Sequence, residues 1–182
     1  MNKEELCQLF KQKAEAVQVV VTEAEDLDQA LGYAVVLTKE QQGSTIAAPG
    51  LGEPERSRLA ELCGPDGPTL VLENLRQREF HTGLTWTEWG VAESGSLVLP
   101  WIDEDVRLSS MLAETHVALL PKQRIRLGLA SLEDEFTRLL KSPPGYLAVI
   151  TGASRTADIE SVLTLGVHGP KELHVVLLES ER

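Results

Sequence analysis

The sequence predicts an α/β fold: a mostly parallel sheet flanked by helices, with a small β-hairpin set into its centre. Three observations carry that expectation. From Val17 to Leu72, short apolar or β-branched runs alternate with helical spacings, the pattern of βαβ units on a parallel sheet. Toward the C-terminus the runs Leu147–Ile150 and His174–Leu178 are continuously apolar after their first residues, as in strands covered on both faces. Between Trp86 and Leu99 the pattern changes to two short strands around Ser94-Gly95, a hairpin signal.

The elements follow in order. Asn2 can cap a helix over residues 2–16, and Glu5 three positions later completes a capping box. Leu6, Leu9, Phe10 and Val17 then fall at helical spacing. Val17–Val21 is β-branched enough for a first strand, and Asp26–Lys39 suits a second helix despite Gly32. Thr45–Ala48 reads as a strand stopped by Pro49-Gly50. Pro54 opens a helix over Glu55–Leu62, ended by Gly64-Pro65, and Thr69–Leu72 is the third strand. After the central hairpin come a short helix over Arg107–Glu114, a buried strand over His116–Leu120, and a helix over Leu132–Lys141 stopped by Ser142–Gly145. The last two strands are Leu147–Ile150 and His174–Leu178.

The chain of 182 residues suits a single domain, 1–182, with room for a substantial core. Its net charge of −11 argues against nucleic acid as a partner. No apolar run reaches a membrane span of about 20 residues, and no leader pattern opens the sequence. Together with the lack of a disulfide framework, this leads us to expect a soluble, cytoplasmic protein. Cys7 and Cys63 are the only cysteines and lie outside any Cys-x-x-Cys spacing, so no metal, iron–sulfur or other cofactor is expected on this chain. Trp86 and Trp89 fit either core packing or an interface, including one between copies of the chain.

Three segments gather groups that carry chemistry. In Thr151–Glu160, the backbone around Gly152, the hydroxyls of Ser154 and Thr156 and the fork of Arg155 suit a carboxylate or phosphate. Asp158 and Glu160 stand close by. The structural alternative is a helix cap with Arg155 paired to Asp158 or Glu160. In Gly166-Val167-His168-Gly169-Pro170, the two glycines allow close backbone approach, and His168 titrates near neutrality as an acid or base. The alternative is a tight turn with an exposed histidine. In Ala92-Glu93-Ser94-Gly95-Ser96, Glu93 can act as nucleophile or base, against the alternative of a solvated hairpin tip. His81, His116 and His174 read as structural or loop residues.

Thr151–Glu160, Gly166–Pro170 and the terminal Glu172–Leu177 resemble the C-terminal signature of the lactate utilisation protein C family, the LUD-domain family. Ala92–Leu99 is similar to its central motif, with Ser94 and Ser96 where threonines are commoner. The resemblance spans nearly the whole chain and is strongest from Gly83 onward. It implies a single LUD domain with the Rossmann-like fold of the NagB/RpiA/CoA-transferase group. It also implies a part in oxidising L-lactate to pyruvate beside partner subunits that hold the iron–sulfur clusters. This chain would then be a non-redox subunit that binds a small carboxylate or assists assembly. A second resemblance, at Glu93 and Gly95, is to the Ser-Glu-Asn-Gly motif of some CoA transferases. It implies instead an acyl-transferring enzyme with Glu93 as nucleophile.

Overall fold

The computed structural model describes residues 1–100, 103–141, 147–158, 162–165 and 169–179. Its first half runs α1 (Lys3–Ala16), β1 (Val20–Ala24), α2 (Leu27–Glu40), β2 (Thr45–Ala47), α3 (Glu53–Cys63), β3 (Thr69–Val71) and β4 (Thr82–Trp86). Then come β5 (Trp89–Val91), β6 (Ser96–Pro100), α4 (Glu104–Leu112), β7 (Thr115–Pro121), β8 (Ile125–Arg126) and α5 (Glu133–Lys141). The chain closes with β9 (Leu147–Ile150), β10 (Arg155–Asp158), β11 (Val162–Leu165) and β12 (Glu172–Leu178).

Six strands form an all-parallel sheet in the order β1-β12-β7-β4-β2-β3. All seven residues of β7 and six of seven in β12 are buried, because elements cover both faces of their part of the sheet. On one face, α2 and α3 pack Leu31, Val35 and Leu59 against Ile46, Leu84, Leu119 and Val176. On the other, Phe10 and Ala14 of α1 and Leu97 and Leu99 of β6 meet Leu120, Val175 and Leu177. Each such buried Val, Leu, Ile or Phe side chain contributes about 1.5–3 kcal/mol. Helix α1 starts as its sequence predicts: Asn2 Oδ1 accepts from Glu5 N, and Glu5 Oε2 accepts from Asn2 N, each at 2.9 Å.

The hairpin expected at Ser94-Gly95 is present, and it is the middle of a four-stranded sheet ordered β8-β5-β6-β9. Here the structure corrects the strand assignment of Leu147–Ile150. β9 lies at an edge of this small sheet, antiparallel to β6, with Leu97 opposite Ile150. The central places of the parallel sheet belong to β12, β7 and β4. β4 has no counterpart among the sequence-predicted strands. Only Leu84 lends it a large buried apolar side chain; Thr82 and Thr85 enter the core through hydroxyl pairs, Thr82 with Thr38 at 2.7 Å and Thr85 with His116 at 2.8 Å. The segment after Gly152 is a hairpin, with β10 antiparallel to β11, where a loop or helix cap was expected. Among the described residues no helix is long and apolar enough to cross a membrane.

Candidate functional site

β5 and β8 run parallel and end side by side, and the start of β6 and the end of β9 meet at that same end of the small sheet. Two of the three chemically marked segments therefore converge. Ser96 Oγ shares hydrogen bonds with Ser94 Oγ at 2.8 Å and with Thr151 Oγ1 at 2.6 Å. Ser96 is buried, Ser94 half-buried and Thr151 exposed, so the row of hydroxyls leads from the protein outward. The third segment joins through Ser154, whose N–H donates to the Pro170 carbonyl at 2.9 Å. Gly169 lies beneath that side chain, where a Cβ would stand 3.0 Å from the Ser154 Cβ.

The C-terminal end of α1 seats this constellation. Gly95 has φ +66° and packs backbone to backbone on the helix, where a Cβ would fall 2.3 Å from Ala14 N. Gly152, at φ +76°, brings the β9–β10 turn against the Val17 carbonyl. Arg155 donates through Nη2 to the Val17 carbonyl at 2.8 Å and to Gln18 Oε1 at 2.6 Å. The last carbonyls of a helix lack intrahelical donors and carry its negative end, so a guanidinium there acts as a cap. The structure thus gives Arg155 a partner far away in sequence.

Glu93 is exposed. Its N–H donates to the Leu127 carbonyl at 2.9 Å, and its carboxylate rests over Gly128, where a Cβ would come 2.5 Å from Oε1. Thr156 and Asp158 sit in β10, with backbone opposite Thr164 and Val162. Glu160, Gly166 and His168 lie outside the described residues. These residues stand at the end of the small mixed sheet, not at the carboxyl edge of the parallel sheet.

The parallel sheet has its own cleft at the carboxyl ends of β1, β12 and β7, about 400 Å³ in volume and walled by the first half of α1. Lys122, which the sequence reading did not single out, hydrogen-bonds Glu23 at 2.7 Å and also Glu179. Burial on its own would lower the Lys122 pKa, but the hydrogen bonds it donates to Glu179 and Glu23 outweigh that and hold the pKa raised. Cys7 lines the same cleft, and burial pushes its thiol up. Neither group is primed as a nucleophile at neutral pH. His116 and His174 serve the core: His174 Nδ1 pairs with Tyr33 Oη at 2.7 Å, and full burial depresses the His116 pKa to about 4. Among the described residues no three His, Cys, Asp or Glu side chains are placed to hold a metal ion.

The LUD domain family profile matches residues 7–178. A protein of Escherichia coli (strain K12), named "Uncharacterized protein YkgG", is 30% identical over 98% of this chain and 82% of its own length. "Lactate utilization protein C" of Anoxybacillus flavithermus is 38% identical over 53% of this chain and 44% of its own. The protein of that name in Bacillus subtilis is 34% identical over 58% and 46%. The matched stretch thus spans less than half the length of these two lactate utilisation relatives. The crystal structure of a DUF162 family protein from Deinococcus radiodurans superposes with a TM-score of 0.68 over 98% of this chain and 99% of that one, at 15% identity; it shares the fold.

Proposed function

Because this chain belongs to the LUD-domain family, we propose that it is a component of an L-lactate-oxidising system, a non-redox subunit that organises iron–sulfur partner subunits. The observation that carries the reading is the convergence of its marked segments on one surface, joined by the Ser94–Ser96–Thr151 hydroxyl row and seated on α1. The names of the partial relatives supply the lactate context. Cys7 and Cys63 are both buried, in clusters on opposite faces of the parallel sheet, so they cannot share a cluster; this supports placing the electron carriers on partners. Arg155 is engaged by the end of α1, which favours an organising role for this surface over capture of a small carboxylate there.

The acyl-transferase alternative has less support. An acyl-glutamyl anhydride must be shielded from water, and Glu93 sits on an exposed turn. The test is co-purification of the tagged protein from its native cell during growth on lactate. Iron–sulfur subunits should come with it, and its deletion should abolish that growth. Recovery of the chain alone, together with unimpaired growth after deletion, would remove the proposal.

A further inference from the structure

We propose that the cleft between β8 and α5, on the outer face of the small sheet, binds the carboxylate or phosphate group of a small anionic metabolite that also has an apolar part. This inference stands apart from the lactate reading. The cleft holds about 320 Å³ and is lined by Arg124, Arg126 and Arg138 with Glu88 and Glu135, over Trp89 and Leu139.

The charge pattern runs against the rest of the chain. The sequence has 28 acidic and 17 basic residues, yet three arginines meet here and, among the described residues, only Arg124 pairs with a carboxylate, Glu88 at 2.8 Å. Among the described residues, Arg126 donates only to main-chain carbonyls, of Gln123 at 2.8 Å and Ile125 at 3.2 Å. Arg138 donates only to the Asp134 carbonyl, at 3.4 Å. Two guanidinium groups without carboxylate partners therefore border one concavity, where their mutual repulsion is relieved by an anion between them. Their planar forks match carboxylate and phosphate oxygens bidentately.

The walls suit a metabolite rather than a bare ion. Trp89 is 5% exposed and packed edge-on against Phe136, with ring centroids 6.1 Å apart and planes at 65°. This gives a preformed apolar floor under a few charged groups, the usual make-up of a small-molecule site. Arg126 is fixed by the register of β8, opposite Val91 of β5, and Arg138 by α5, so the donors stand on regular elements. In sequence the signal is the alternation Lys122-Gln123-Arg124-Ile125-Arg126.

The test is thermal unfolding of the full chain titrated with pyruvate, 2-oxoisovalerate and phenyl phosphate, each against potassium chloride at equal ionic strength. A saturable rise in Tm is expected with at least one probe. Arg126→Gln and Arg138→Gln should each weaken its apparent Kd about tenfold or more, the loss of a charge-assisted hydrogen bond. Lys39→Gln, an exposed lysine on α2, should leave it unchanged. Arg138 is exposed on its helix, so its replacement does not threaten the fold. Absence of a saturable shift with all three probes, or a shift equal in the wild type and both arginine variants, overturns the proposal. Binding is read on the isolated chain, so either result is independent of whether partner subunits co-purify.

Discussion

In the six-stranded sheet, buried polar side chains find one another: Thr38 with Thr82, Thr85 with His116, Tyr33 with His174. The four-stranded sheet instead carries its polar groups to its rim and outer face. Its hydroxyl row ends at exposed Thr151, Glu93 stands on an exposed turn, and Arg126 and Arg138 lack carboxylate partners among the described residues. Residue type alone therefore does not locate function in this fold. Two histidines and a lysine that would suit a reactive site are held in or beside the large sheet by Tyr33, Thr85 and Glu23. On the small sheet, the donors of Arg126 and Arg138 and the hydroxyl of Thr151 border solvent-facing surface.

The joint between the two sheets should be the most sensitive point. Gly95→Ala must place a Cβ against the backbone of α1 at positive φ, adding steric overlap to backbone strain. It should cost about 4 kcal/mol in urea unfolding. Gly64→Ala shares the positive φ, with no atom within 4 Å of the new Cβ, and should cost only about 2 kcal/mol. Equal costs would mean that the contact with α1 carries no weight.

Acid should weaken the large sheet first. His116 is fully buried; its pKa falls from 6.5 to about 4 because burial penalises the charged ring. Below pH 6.5 the unfolded chain takes up a proton that the folded chain refuses, so stability declines as pH falls from 6.5 to about 4 and this contribution then levels off. The difference is about 3 kcal/mol. Chemical unfolding measured across that range should show the slope in the wild type and lose it in His116→Gln. A slope unchanged in the variant would assign it to other groups.

Smaller effects separate capping from binding. Arg155→Ala removes a cation from the end of α1 and should lower stability by about 1 kcal/mol; no change at all would return Arg155 to the pool of ligand-binding candidates. Ser94→Ala with Thr151→Val takes both hydrogen-bond partners from the buried Ser96 hydroxyl and should lower stability by about 1 kcal/mol.

The parts of the fold legible in sequence are those whose signals are local. Asn2 and Glu5 mark the start of α1, Gly95 marks its turn, and β7 and β12 read as buried strands because nearly every residue is apolar. β4 was not legible, since Thr82 and Thr85 are core residues only through Thr38 and His116 on other elements. β9 has the composition of a central strand, and its place at the edge of the small sheet follows from long-range pairing with β6. The marked segments were visible as unusual chemistry, and their convergence on one end of a sheet was not. Arg155 looked like an anion binder for the same reason: its acceptor, the Val17 carbonyl, lies 138 positions away.

The most direct test of the account is complementation. A strain lacking this gene would carry the Ser94→Ala, Thr151→Val variant and be grown with L-lactate as sole carbon source, with protein levels checked. Folded protein and failure to grow on lactate are expected, because the loss of about 1 kcal/mol leaves the fold populated while the assembly surface loses its hydroxyl row. Growth equal to that of the wild type would contradict it.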